Sequence, residues 1–136
     1  MKNIVKKALI VCKEKTDLNT LRTHVFSWNE NCEIIELKTA WQGFFYLQEL
    51  AASKLQVPEL IFLDTSCSIN DSQKILALLD KYYPGSSKKS VFLINRQYSL
   101  KRIMKITSFQ CVKDILTSPI LKYEIPSEFG RVSTLA

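Results

Sequence analysis

The sequence predicts an α/β fold: a doubly wound, five-stranded parallel sheet with helices on both faces, in one domain spanning 1–136. Three observations carry this. All-apolar runs recur at Ala8-Leu9-Ile10-Val11, Leu60-Ile61-Phe62-Leu63 and Val91-Phe92-Leu93-Ile94, as expected of strands buried on both faces. The stretches between them place apolar residues at helical spacing. Strands that alternate with helices over short connections need right-handed crossovers, which lay the helices on both sides of the sheet.

The first strand is expected at 8–11, and the helix after it begins near Thr16 or Asp17, either of which can cap it. Leu18, Leu21 and Val25 line one face of that helix. A shorter strand falls at 33–37, carrying Ile34 and Ile35. The helix over 41–52 sets Trp41, Phe44, Phe45 and Gln48 on one side, an aromatic stripe expected to join the core. Pro58 marks the entry to the third strand, Leu60 to Asp64. Ser72 is expected to cap a third helix with Ile75, Leu78, Leu79 and Tyr82 at i, i+3, i+4 and i+7, ended by Pro84-Gly85. A fourth strand at 91–94, a fourth helix at 99–109 with Leu100, Ile103 and Met104 inward, and a fifth strand at 111–116 complete the pattern.

At 136 residues and 46% hydrophobic content the chain is long enough to bury an ordinary core. Cys12, Cys32, Cys67 and Cys111 are scattered, with no C-x-x-C pair, so neither a zinc site nor a redox dithiol is encoded locally. Buried reduced thiols in a cytoplasmic protein are the expectation. Residues 8–11 are too short a run for a signal or membrane segment. The net charge of +6 is dispersed over small groups such as Lys6-Lys7 and Lys88-Lys89. Without a nucleic-acid motif or stacking aromatics, it reads as solvated surface that favours an acidic partner. His24 falls inside the first helix and is assigned no role.

The most informative stretch is Leu60-Ile61-Phe62-Leu63-Asp64-Thr65-Ser66-Cys67-Ser68-Ile69-Asn70-Asp71. It sets Asp64 at the C-terminal end of a buried strand, where parallel sheets bind ligands. Asp71, with Ser72, starts the next helix, where a carboxylate favours the helix dipole. Asp64 followed by Thr65 to Ser72, together with Leu116-Thr117-Ser118-Pro119, resembles the receiver domain of two-component response regulators, in which a phosphoacceptor aspartate follows strand three and a Thr-Lys-Pro element follows strand five. The resemblance covers nearly the whole chain. It implies a flavodoxin-like, CheY-like sheet of order 2-1-3-4-5, which agrees with the periodicity.

The departures from the family pattern bear on function. The acidic pair that holds Mg²⁺ in the family falls at Cys12 and Lys13. Magnesium requires oxygen ligands, which a thiol and an ammonium do not supply, and the Lys13 charge would repel the ion by several kcal/mol at an intermediate dielectric. Glu14 could restore a ligand if the strand end slipped by one residue. The lysine before proline is replaced by Ser118. The hydroxyl switch of strand four falls at Ile94, Asn95 or Arg96, with Asn95 chosen, and the aromatic switch of strand five at Ile115.

Asp64 therefore stands at a phosphoacceptor position without its usual neutralising groups, and acyl-phosphate chemistry is expected to be very slow or absent. One option is that Lys13 pairs with Asp64 as a built-in counterion; the other is that both side chains face water. Cys12 and Cys67 are expected in loops at the sheet edge, where partial exposure would leave inert thiols or a redox sensor. After Pro119 the chain is irregular, because Pro126 interrupts any helix begun at Ile120. In the family the fourth helix, fifth strand and fifth helix form the surface used by partners and dimers, and here it would present Lys101, Arg102 and Lys105.

The expected function is a stand-alone degenerate receiver: not an enzyme, without a cofactor, acting on a histidine kinase or effector protein, with no membrane and no nucleic-acid partner, and with homodimerisation left open. The alternatives are an atypical receiver that accepts phosphate on Asp64 from a histidine kinase, and a basic nucleic-acid-binding protein on the same fold. A small-molecule enzyme lacks any Gly-rich phosphate loop or acid/base pair.

Overall fold

The computed structural model describes residues 6–65, 69–82, 91–95, 109, 111–118 and 120. In chain order they form β1 (Lys7–Val11), α1 (Lys15–Trp28), β2 (Glu33–Leu37), α2 (Ala40–Ala52), β3 (Leu60–Asp64), α3 (Ile69–Tyr82), β4 (Val91–Asn95) and β5 (Val112–Thr117). All strands pair in parallel, in the order β2-β1-β3-β4-β5. The expected helix at 99–109, the Pro84-Gly85 stop, Cys67 and the irregular segment beyond Ile120 lie outside the described residues.

Side-chain alternation divides each apolar run between two cores, because successive strand residues point to opposite faces. Leu9, Val11, Ile61, Leu63, Val91 and Leu93 face α2 and α3, where Leu47, Ile75, Leu76 and Leu79 meet them. Ala8, Ile10, Leu60, Phe62, Phe92 and Ile94 face α1, where Leu21 and Val25 meet them. Phe62 and Phe92 are opposite one another in the β3–β4 register and stack with ring centroids 5.5 Å apart. A register shift between Val91 and Phe92 passes over Lys113 on the partner strand, so that Val91 pairs with Val112 and Phe92 with Asp114.

Three helix details differ from expectation. Glu14, not Thr16 or Asp17, caps α1: its carboxylate accepts hydrogen bonds from the Thr16 and Asp17 N–H groups at 3.0 and 2.8 Å. The cap thus falls two or three residues earlier than expected, which places Asp17 in the first turn. In α3, Ser72 lies inside the helix and is buried, whereas Asp71 occupies the first turn as the dipole argument requires. Tyr82, expected inward, is exposed at the end of α3, with the Lys81 ammonium 5.2 Å from its ring.

Helix α2 begins with a capping box. The Thr39 hydroxyl accepts from the Gln42 N–H at 3.1 Å, and the Gln42 side chain accepts from the Thr39 N–H at 3.3 Å. Its buried face is Ala40, Gly43 and Leu47. The aromatic stripe is therefore not core: Trp41 and Phe45 are 49% and 46% exposed, and Gln48 is exposed. Phe44 is the member that packs against the α2–α3 core. The small residues win the inner face because α2 lies close to β1, leaving room there for glycine and alanine but not for indole.

Candidate functional site

Asp64 ends β3, which lies between β1 and β4 in the sheet. Its carboxylate is almost fully buried, 3% exposed, at the last position of β3. The Cys12 thiol, buried just beyond β1, lies 3.8 Å from Asp64 Oδ2 and 3.5 Å from the Glu14 carbonyl, and can donate to either acceptor. The backbone sets this placement, since the Cys12 N–H donates to the Leu37 carbonyl at 3.0 Å and continues the β1–β2 ladder by one residue. Cys12 is thus buried, as expected of an isolated thiol, and does not take the partial exposure that a place at the sheet edge allowed.

Lys13 points the other way. Its side chain is exposed, and among the described residues no ion pair joins it to Asp64. Neither option holds in full: Lys13 faces water without pairing to Asp64, and Asp64 is buried rather than solvated. Residue 13 follows a buried Cys12, so an extended backbone turns it outward, where its ammonium keeps full hydration.

Glu14 is engaged elsewhere. Its two carboxylate oxygens cap α1, and those backbone N–H groups hold its pKa below the ordinary value of 4.5.

Asp17 is the residue the sequence reading missed. It is fully buried, and both of its oxygens accept hydrogen bonds from the end of β5: the Ser118 hydroxyl donates to Oδ2 at 2.7 Å and the Ile120 N–H to Oδ1 at 2.9 Å. The Ser118 N–H in turn donates to the Asn95 carbonyl at 3.0 Å. Asn95 ends β4 half-buried, and Ile115 packs in part against the α2–α3 core. Thr65 was also missed. Buried directly after Asp64, it donates from its N–H and its hydroxyl to the Ile94 carbonyl, at 3.1 and 2.9 Å. This pair of hydrogen bonds to β4 fixes the direction in which the chain leaves Asp64.

The structure thus brings Asp64 and Cys12 together and sets Asn95 and Ser118 on neighbouring strand ends. It sends Lys13 to solvent and turns Glu14 to the α1 cap. Lys101, Arg102 and Lys105 lie outside the described residues. Among the described residues no three His, Cys, Asp or Glu side chains are grouped as a metal centre, and no helix is long and apolar enough to cross a membrane. Cys32 and Cys111 are buried thiols, their pKa values pushed up to about 11 and about 12, chiefly by burial.

No protein-family model and no curated protein sequence matches the chain. Solved structures do. The Mn²⁺-bound form of response regulator Rcp1 matches with a TM-score of 0.64 at 19% identity, over 82% of this chain and 80% of that one. The phosphorylated cyanobacterial phytochrome response regulator RcpA matches with a TM-score of 0.65 at 18% identity, over 83% and 80%. The pilus assembly protein CpaE from Caulobacter crescentus matches with a TM-score of 0.65 at 12% identity, over 95% of each chain. At these identities what is shared is architecture: the chain has the CheY-like fold of receiver domains, a five-stranded parallel sheet in the order 2-1-3-4-5 with helices packed against it.

Proposed function

We propose that this chain is a degenerate receiver domain, a non-enzymatic protein-interaction module of two-component or phosphorelay signalling, in which Asp64 does not take phosphate by the magnesium-dependent route. The observation that carries the reading is the surroundings of Asp64. A buried thiol stands beside it, and the two carboxylates of the α1 entry, Glu14 and Asp17, are occupied by backbone and serine donors.

These residues do not fit Mg²⁺. The ion needs near-octahedral oxygen ligation with one or two carboxylates, and among the described residues it would meet the Asp64 carboxylate beside the Cys12 sulfur. Moving Glu14 inward would strip α1 of its cap, and moving Asp17 would leave the Ser118 hydroxyl and the Ile120 N–H without their acceptor. Nor is there a cation for a phosphoryl group at residue 118, where Ser118 already donates its hydroxyl. Among the described residues no cation is arranged to neutralise the charge of a phosphoryl group transferred to Asp64.

A module of this kind acts through contact, with a histidine kinase or an effector protein as partner in the cytoplasm. The basic residues Lys101, Arg102 and Lys105 are assigned to that contact by position and charge. The matched pilus assembly protein bears a name outside the response regulators, which is compatible with this fold serving as a contact module.

The test is beryllofluoride, which mimics an acyl phosphate on aspartate, added with Mg²⁺ and followed by ¹⁹F NMR. The wild-type chain is expected to give no bound signal, and a Cys12→Asp/Lys13→Asp/Ser118→Lys variant to gain one. A bound signal on wild type that vanishes in Asp64→Asn would overturn the proposal in favour of a working receiver.

A further inference from the structure

The outward face of α2 has no account in the receiver reading. Trp41 and Phe45 are half exposed one turn apart, and with Phe44 they form a single aromatic cluster: the Trp41 and Phe45 rings meet edge to face at 4.5 Å, and Trp41 stacks on Phe44 at 6.2 Å. An amphipathic surface helix turns polar residues outward, and on α2 these rings stand among exposed Gln42, Gln48 and Glu49 instead of in the core. Exposing two large rings side by side costs hydrophobic free energy that a covering surface would recover.

We infer that α2 is a self-association surface, on which the Trp41–Phe45 ridge packs antiparallel against the same ridge of a second copy of this chain. Charge singles out that occupant. Each copy carries +6, so like charge opposes self-association over most of the surface. Of the three described helices, α1 carries Lys15 and Arg22 and α3 carries Lys74 and Lys81, whereas α2 has neither lysine nor arginine. It is the helical face on which two cationic copies meet with least repulsion.

The ridge is also complementary to itself. Exposed Lys38 lies just before the helix, and exposed Glu49 continues the Trp41, Phe45 series at intervals of four. A two-fold axis crossing between Trp41 and Phe45 lays Trp41 of each copy over Phe45 of the other. The same antiparallel register brings Lys38 of each copy within one residue, an axial rise of about 1.5 Å, of Glu49 of the other. One arrangement thus pairs both the aromatic and the charged residues. It does not depend on whether Asp64 is phosphorylated.

Sedimentation velocity across a dilution series tests the wild-type chain directly, with a reversible monomer–dimer equilibrium expected. In a Trp28→Phe background Trp41 is the sole indole, and its emission should shift to the red as the dimer dissociates. Phe45→Lys, at an exposed site, should keep the far-UV circular dichroism and weaken association at least about tenfold, the loss typical of a central aromatic. Lys38→Glu or Glu49→Lys alone should weaken it about two- to fivefold, and the double swap should recover most of the loss. A chain that stays monomeric at all concentrations, a dimer undiminished by Phe45→Lys, or a double swap no better than the single ones would overturn the inference.

Discussion

The Ser118 hydroxyl donates a 2.7 Å hydrogen bond to Asp17 Oδ2 and so joins the end of β5 to the first turn of α1, 101 residues earlier. The other oxygen of the same carboxylate receives the Ile120 N–H at 2.9 Å. A single buried side chain therefore holds the segment leaving β5 at two points. In the receiver pattern this segment carries the lysine that contacts the phosphoryl group; here it is anchored to the helix beside it.

Asp17→Ala is expected to destabilise the chain by about 1–3 kcal/mol, because a buried N–H and a half-buried hydroxyl lose their acceptor at once. Ser118→Ala removes one donor and should cost about 1 kcal/mol. Since the two residues are in contact, the double variant should lose less than the sum of the singles, by about 0.5 kcal/mol or more. Urea denaturation of the four proteins measures this, and additive losses would mean that the bond contributes nothing to stability.

Glu14 gives the fold a pH dependence with a definite sign. Its folded pKa lies below the ordinary 4.5 because the Thr16 and Asp17 N–H groups bind the ionised form. The contribution is therefore fully present above 4.5 and is lost as the pH falls through the lower folded value. Glu14→Gln keeps an acceptor but no charge, so thermal melts below pH 4.5 should show a shallower decline in Tm than the wild-type chain. Parallel declines would show that the cap is indifferent to ionisation.

The legible part of the fold is the part governed by local pattern. The four-residue apolar runs specify strands buried on both faces, and the topology follows from short crossovers. Asp64 was legible because a charge that ends such a run has few other places to be. Asp17 was not, since its burial depends on Ser118 and Ile120 returning from the far end of the chain, and an aspartate in a first helical turn reads as a cap. The aromatic stripe of α2 failed for a related reason. Helical spacing fixes which residues share a face, but the closeness of β1 decides which face turns inward, and Gly43 was the signal that it would be the one without rings.

The buried thiols should be chemically silent in the native state. Burial pushes Cys32 to about 11 and Cys111 to about 12, so near pH 8 almost no thiolate is available to attack a reagent. Ellman's reagent should reach Cys32 and Cys111 only as fast as the chain unfolds, and urea should release both together. Because the neutral thiol is the form the fold favours, its contribution is intact below the ordinary value of 9.0 and falls as the pH climbs toward the raised values. Cys111→Ala should accordingly lose less stability than wild type between pH 9 and about 12. Rapid native labelling of Cys111, located by mass spectrometry, would contradict the burial on which this rests.

Gly43 sets a contest between two effects of opposite sign. Alanine in a helix interior is favoured over glycine by about 1 kcal/mol. The added Cβ, however, would lie 3.1 Å from Val11 Cγ2 and 3.4 Å from Ile75 Cδ1. The isoleucine terminus can rotate away, but Val11 is fully buried in β1 and its branched side chain is confined at χ1. Overpacking of this kind costs about 1–3 kcal/mol, so steric cost should win and Gly43→Ala should be about 1 kcal/mol less stable than wild type. Val11→Ala removes the obstructing methyls, and in that background the same substitution should become neutral or stabilising. Equilibrium unfolding of the four proteins decides it: a stabilising Gly43→Ala in the wild-type background would mean that α2 can lift from β1 without loss, and that its inner face is not held by the close approach of Gly43.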